Sequence, residues 1–215
     1  MLFSGASLTE TLVSMAYRIP ALLIGLSFHE AAHAYMAYRC GDPTARNLGR
    51  MSLDPLRHLD VVGTLSLLFF GFGWAKPVPV NSRNFRKPRR DDIFVSLAGI
   101  VTNLVLAFLF TGIFYLILSF NLPEKAAEIT ETILIYIIYI NIILAVFNLI
   151  PIPPLDGYHV LRNSVRGGER FFAFLERYGF IILIGFLLFT RRSNVIFAVA
   201  RVIAGIFESF FQLFF

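Results

Sequence analysis

The chain has 215 residues, of which 57% are hydrophobic and only 15% charged, with a mean hydropathy of +0.71. A soluble domain carries roughly 25% charged residues, so the composition excludes that class and indicates an integral membrane protein. The net charge of +5 would suggest nucleic acid in a soluble protein, but the basic residues gather between apolar runs, where they report orientation and contact with anionic headgroups. The lipid bilayer is therefore the expected partner and nucleic acid is not. A single Cys40 excludes an intramolecular disulfide.

In chain order, residues 1–19 are mixed, with Glu10 and Arg18, and read as an interfacial helix or an upstream extension of the first span. The stretch lacks a basic n-region and its apolar run continues onward, so no cleaved signal peptide is expected. Pro20 fits the first turn of a helix or marks a kink. A first span then runs to about Cys40 and stops at Gly41-Asp42-Pro43. Its small residues Gly25, Ser27, Ala31, Ala32, Ala34 and Ala37 allow close approach of neighbouring backbones, which predicts a central, packed helix.

Residues 42–60 are turn-rich and too polar to span. The apolar run 61–74 is interrupted by Gly63, Gly71 and Gly73 and is short against the roughly 20 residues of a crossing, which predicts a re-entrant segment. Residues 75–81 (AKPVPVN) alternate proline and read as extended chain or an edge strand, one arm of a short β-hairpin near the cytoplasmic face. Between residues 76 and 90 stand Lys76, Arg83, Arg86, Lys87, Arg89 and Arg90 with no acidic residue, which places this loop in the cytoplasm. Further spans are expected at about 93–120 and 130–149, the second meeting the proline-broken IPIPPLDG. Residues 171–190 and 194–215 are apolar enough for two more, although Arg191 and Arg192 between them then fall on the outer side, against the charge rule. The expected fold class is an all-α integral membrane protein of about five transmembrane helices, one domain over 1–215, multi-pass in the plasma membrane.

The most informative stretch lies inside the first span. Across residues 21–38 only His29, Glu30 and His33 can carry charge, and ionisable groups at membrane depth mark function by default. On a helix His29 and His33 lie about 40° apart, with Glu30 within about 100° of the first and 60° of the second, so all three share one face. Two imidazoles one turn apart can each give a ring nitrogen to one Zn²⁺, and the intervening Glu is placed to take a proton from water. With four His in the chain, chance is a poor explanation of H-E-x-x-H.

A tetrahedral site with one open position needs a third protein ligand. Asp42, Asp54, Asp60, Asp91 and Asp92 fall in loops with solvent roles, whereas Asp156 follows a helix break beside an apolar span, where irregular backbone usually lines a site. His58 and His159 stay open as ligands; His58 reads as a surface histidine among Arg57 and Asp60, and His159 first as interfacial packing, with support of Asp156 as the alternative.

These pieces, the membrane HEAAH, Gly99-x-x-x-Asn103 and Asn148-Leu-Ile-Pro-Ile-Pro-Pro-Leu-Asp156-Gly157, resemble the site-2 protease family of intramembrane zinc metalloproteases, in a short form. The resemblance covers most of residues 20–165, the expected catalytic core, and leaves the C-terminal helices at about 171–215 unmatched. It implies that His29, His33 and Asp156 bind one zinc ion and that Glu30 is the general base. It further implies that Asn148 and Asn103 hold or polarise substrate, and that the substrates are themselves transmembrane helices. A homo-oligomer stays open. Two other readings compete: a zinc hydrolase acting on lipid or lipidated ends, and a metal transporter or sensor. A transporter, however, needs further intramembrane ligands along a path and has no use for a Glu between its histidines.

Overall fold

The computed structural model describes residues 7–70 and 75–215 of the chain. Its first helix, α1 (Leu8–Cys40), begins at a capping box in which the Glu10 N–H donates to Ser7 Oγ (3.2 Å) and the Ser7 N–H to Glu10 Oε2 (2.8 Å). It runs straight through Pro20, so the upstream extension and the first span are one helix. It ends at Gly41, whose φ of 112° is the left-handed geometry that closes a helix most cheaply with glycine.

Among the described residues seven further α-helices follow: α2 (Thr44–Asn47), α3 (Val61–Phe70), α4 (Pro88–Leu118), α5 (Glu124–Asn148), α6 (Asp156–Ser164), α7 (Glu169–Ser193) and α8 (Val195–Phe211). Among the described residues, four stretches are long and apolar enough to cross a bilayer: Leu12–Cys40, Pro88–Leu118, Glu124–Asn148 and Glu169–Thr190. The expected fifth is absent from this set because α8 has 17 residues, short of the roughly 20 a crossing needs.

Helices α1, α4 and α5 pack on one another, α6 lies on α4, and α8 on α5 and α4. Ala200 and Ala204, one turn apart on α8, are buried against Ala107, Ile138 and Ile142. Their small side chains let the helices approach closely, which is how helices associate where burial from water offers no drive. Where α1, α4 and α5 meet, the interior is polar instead: His29, Glu30, His33, Asn103 and Asn141 are all buried. Buried polar groups are costly unless bonded, and the bonds described below are what make this interior stable.

The described part of α3 has ten residues and is about 15 Å long, half the hydrocarbon thickness. The rest of the predicted re-entrant run, residues 71–74, lies outside the described residues. The expected β-hairpin is not found among the described residues: Leu59 and Ala75 form an isolated antiparallel bridge, and the Lys76 N–H donates to the His58 carbonyl at 2.7 Å. Pro77 and Pro79 explain this, since neither can donate to a ladder. Residues 76–81 are instead held by single bonds along their length. Arg50 donates to the Lys76 carbonyl (2.5 Å), the Val78 N–H to Glu30 Oε2 (2.8 Å) and the Asn81 N–H to Asp42 Oδ2 (2.7 Å).

Two loop aspartates expected in solvent are fully buried. Asp42 also accepts from the Thr44 N–H (3.1 Å), the Thr44 hydroxyl (2.5 Å) and Asn84 Nδ2 (2.8 Å). Burial pushes its carboxyl up, but these donors outweigh it and hold the group below the usual carboxylate range. Asp91 accepts the Lys87 N–H at 2.8 Å and the Arg90 guanidinium at 2.8 and 3.0 Å, closing the start of α4. Both carboxylates are anchors for the chain around residues 76–91.

Candidate metal centre

Helix α1 places His29 and His33 one turn apart, both buried, with their rings edge to face at 4.5 Å between centroids. Asp156 reaches them from the first turn of α6, after the turn at residues 150–155 that follows α5. That turn is tight because Gly157 has no side chain: a Cβ there would stand 2.2 Å from the Leu149 carbonyl oxygen. The result is a triangle of ligand atoms. His29 Nε2 and His33 Nε2 are 2.9 Å apart, and Asp156 Oδ2 lies 3.3 Å from the first and 3.4 Å from the second. The ligands of a tetrahedral zinc, at about 2.0–2.1 Å, are separated by edges of about 3.3–3.4 Å, which the two Asp156 edges match, while the His29–His33 edge of 2.9 Å must open by about half an ångström to admit the ion.

Protonation sharpens the argument. His33 Nδ1 is 2.7 Å from the Val95 carbonyl, which can only accept, so Nδ1 carries the proton and Nε2 a lone pair. His29 Nδ1 is 2.6 Å from Asn103 Oδ1. The Asn103 amide is oriented by its other bonds, with Nδ2 donating to the Gly25 carbonyl (3.1 Å) and to Asn141 Oδ1 (2.8 Å). His29 is therefore also an Nδ1–H tautomer. Two lone pairs and a carboxylate oxygen then face one another within 3.4 Å, and that Asp156 oxygen is buried with no hydrogen-bond partner. Such a set is repulsive unless a proton or a metal ion sits among the three atoms, and two imidazoles with a carboxylate suit zinc. Among the described residues, His29, His33 and Asp156 are the group that could hold a metal ion.

Glu30 is buried beside them, and its Oε2 is occupied by the Val78 N–H. The other candidates lie elsewhere. His58 is buried rather than at the surface, donating from Nε2 to the Ser52 carbonyl at 2.6 Å. His159 is half exposed, with Nδ1 3.3 Å from Asp92 Oδ2, and that carboxylate raises its pKa above the ordinary histidine value despite partial burial. Asn148 is half-buried and bonds back within α5, from Nδ2 to the Leu144 carbonyl at 2.9 Å. Asn103 is 0% exposed and its amide meets His29, Gly25 and Asn141.

The sequence reading missed four parts of this arrangement: Asn141, the Val95 carbonyl, the Val78 N–H and the reason for Gly99. Asn141 had a signal, being a lone amide within the apolar LIYIIYINIILAVF. A Cβ on Gly99 would stand 2.5 Å from His29 Cε1, 2.6 Å from its Nδ1 and 2.6 Å from His33 Nε2. Gly99 thus lets α4 lie against both imidazoles, and Asn103 one turn on reaches the first of them. Gly99→Ala must displace a histidine; we expect zinc affinity to fall by ~10- to 100-fold in a chelator competition, the cost typical of disturbing what orients a ligand. Wild-type affinity in that variant would show that the close approach is not needed.

A multi-pass membrane protein whose largely buried His-His-Asp cluster could hold a metal ion is thereby defined. The chain belongs to peptidase family M50, the site-2 protease family, whose sequence profile matches residues 17–133 and 116–190. It is 45% identical over 175 residues to "Putative zinc metalloprotease YwhC" of Bacillus subtilis (strain 168), covering 79% of each chain. It is 31% identical over 176 residues to "Putative zinc metalloprotease Rip2" of Mycolicibacterium smegmatis, covering 79% of this chain and 66% of that one. With "Putative zinc metalloprotease MJ0611" of Methanocaldococcus jannaschii it shares 33% over 138 residues, 64% of this chain and 65% of the relative. No solved structure matches. The chain is a membrane metalloprotease.

Proposed function

We propose that the protein hydrolyses peptide bonds of transmembrane helices within the bilayer, using one zinc ion held by His29, His33 and Asp156, with Glu30 as general base. The observation that carries this reading is the convergence of two Nε2 lone pairs and an unpartnered Asp156 oxygen within 3.4 Å. When bound, zinc supplies Lewis-acid chemistry, acidifying water and polarising a peptide carbonyl. Glu30 Oε2 is fixed by the Val78 N–H, leaving Oε1 to accept a proton from the attacking water and pass it to the leaving amine. Asn148 has a second amide proton beyond the one given to Leu144, and in this reading it donates to the developing oxyanion.

A helical substrate hides its carbonyls in its own hydrogen bonds, so it must unwind before attack. The extended residues 75–81 are suited to receive the unwound stretch. Their Lys76 and Val78 N–H groups are already spent and Pro77 and Pro79 have none, so an incoming strand would chiefly donate its own N–H groups to carbonyls on this segment.

The test is cleavage of a model transmembrane peptide by purified protein in liposomes. Peptide products with lipid esters left intact support the reading, while hydrolysed lipid with intact peptide favours a lipid hydrolase. Metal flux without cleavage favours a transporter.

The same proposal places residues 76–90 in the cytoplasm and keeps residues 61–74 from crossing the bilayer, on the strength of the six uncompensated basic residues and the short, glycine-interrupted apolar run. Ser52→Cys and Ser82→Cys should react with an impermeant thiol reagent from the same, cytoplasmic side. Labelling from opposite sides would mean that the segment between them crosses.

A further inference from the structure

We infer that Asn141 and Asn103 act as a positioning relay that sets the tautomer and direction of His29, so that the metal affinity of an α1 ligand depends on an amide in α5. The inference rests on the reading of His29 as a zinc ligand. The relay starts at an unambiguous acceptor. Asn141 Nδ2 donates to the Ile137 carbonyl at 2.8 Å, which turns Asn141 Oδ1 toward Asn103. Asn103 Nδ2 donates to that oxygen at 2.8 Å and to the Gly25 carbonyl at 3.1 Å, which turns Asn103 Oδ1 toward His29. His29 Nδ1–H donates to it at 2.6 Å, leaving Nε2 free for the metal. Each amide has one orientation that satisfies all its neighbours, and both residues are 0% exposed, so water cannot substitute for a lost partner.

The arrangement treats the two histidines differently. His33 is oriented by a main-chain carbonyl, that of Val95, which has no alternative orientation to choose. His29 is oriented by a side-chain amide that, reversed, would present N–H to N–H and drive the imidazole to the other tautomer, with its proton on the metal side. Asn141, together with the Gly25 carbonyl, removes that choice. Buried amides also glue membrane helices together, a role that requires the Asn103 donors; the relay requires its acceptor.

The two roles separate in a set of variants read by zinc affinity, in competition with a chromophoric chelator on the purified full-length protein. Asn103→Leu should bind zinc ~10- to 100-fold more weakly. Asn103→Asp keeps an acceptor for His29 Nδ1–H and loses the donors, and it should bind zinc close to the wild-type value. Asn141→Leu should weaken zinc binding by a smaller factor. In the Asn103→Asp background it should cause no further loss, because a carboxylate has two equivalent oxygens and needs no orienting.

Asn103→Asp as weak as Asn103→Leu would assign the pair to helix packing and overturn the relay, as would wild-type affinity in Asn141→Leu. Asp156→Ala serves as the reference. If it loses zinc while the Asn variants do not, the relay alone fails. If it binds zinc like the wild type, the metal site itself is misplaced and both ideas fall.

Discussion

Replacing Glu30 by Gln should leave zinc bound and lower cleavage of a transmembrane peptide by the roughly 10²- to 10⁴-fold typical of lost acid-base catalysis. Gln keeps the volume of Glu and an oxygen that can still accept the Val78 N–H, a bond of 2.8 Å in the native chain, so the segment over the site should stay in place. What disappears is the basic lone pair that takes a proton from water. Zinc content and thermal stability measured beside the rate make the result decisive. A rate within a few fold of wild type would mean that another group accepts the proton, and the chemistry assigned to this carboxylate would be wrong.

Asp156→Ala should behave in the opposite way, losing zinc and cleavage together. The two remaining nitrogens, 2.9 Å apart, would face each other without the carboxylate that now completes the triangle. Two neutral imidazoles make a poor zinc site, whereas three ligands with one open position make a catalytic one. Asp156 sits in the first turn of α6, so its truncation leaves the core packing of α1, α4 and α5 untouched, and the folded fraction should be preserved. Full zinc occupancy in this variant would place the third ligand elsewhere.

Much of this arrangement was legible because membrane sequence is so restrictive. The apolar lengths gave the main spans, and three ionisable residues within residues 21–38 pointed to a candidate site. Asp156 was readable from the proline break before it. The capping box of Ser7 and Glu10, which makes residues 8–40 one helix, was present in the pattern S-x-x-E but lay in a stretch too mixed to resemble a span. Helix α6 was not expected, because nine residues after a proline-rich turn carry little periodic signal.

The burial of Asp42, Asp91 and His58 could not be read at all. Charged residues in a polar loop look solvated, and what buries Asp42 is donors from Asn81 and Asn84, some forty residues away in sequence, whose approach depends on the packed fold. The β-hairpin was overestimated for a local reason, since alternating prolines extend a chain while removing the donors a ladder needs. Gly99 shows the converse: its motif was visible, but only the nearness of His29 and His33 explains why a side chain is excluded there.

The most direct test of the account is a zinc titration of metal-stripped protein in liposomes, following cleavage of a transmembrane peptide. The account predicts no cleavage without metal, a rise in proportion to bound zinc, saturation at one ion per chain, and no recovery in His33→Ala. Cleavage that persists after complete removal of metal, or a fully zinc-loaded protein that leaves the peptide intact, would contradict it.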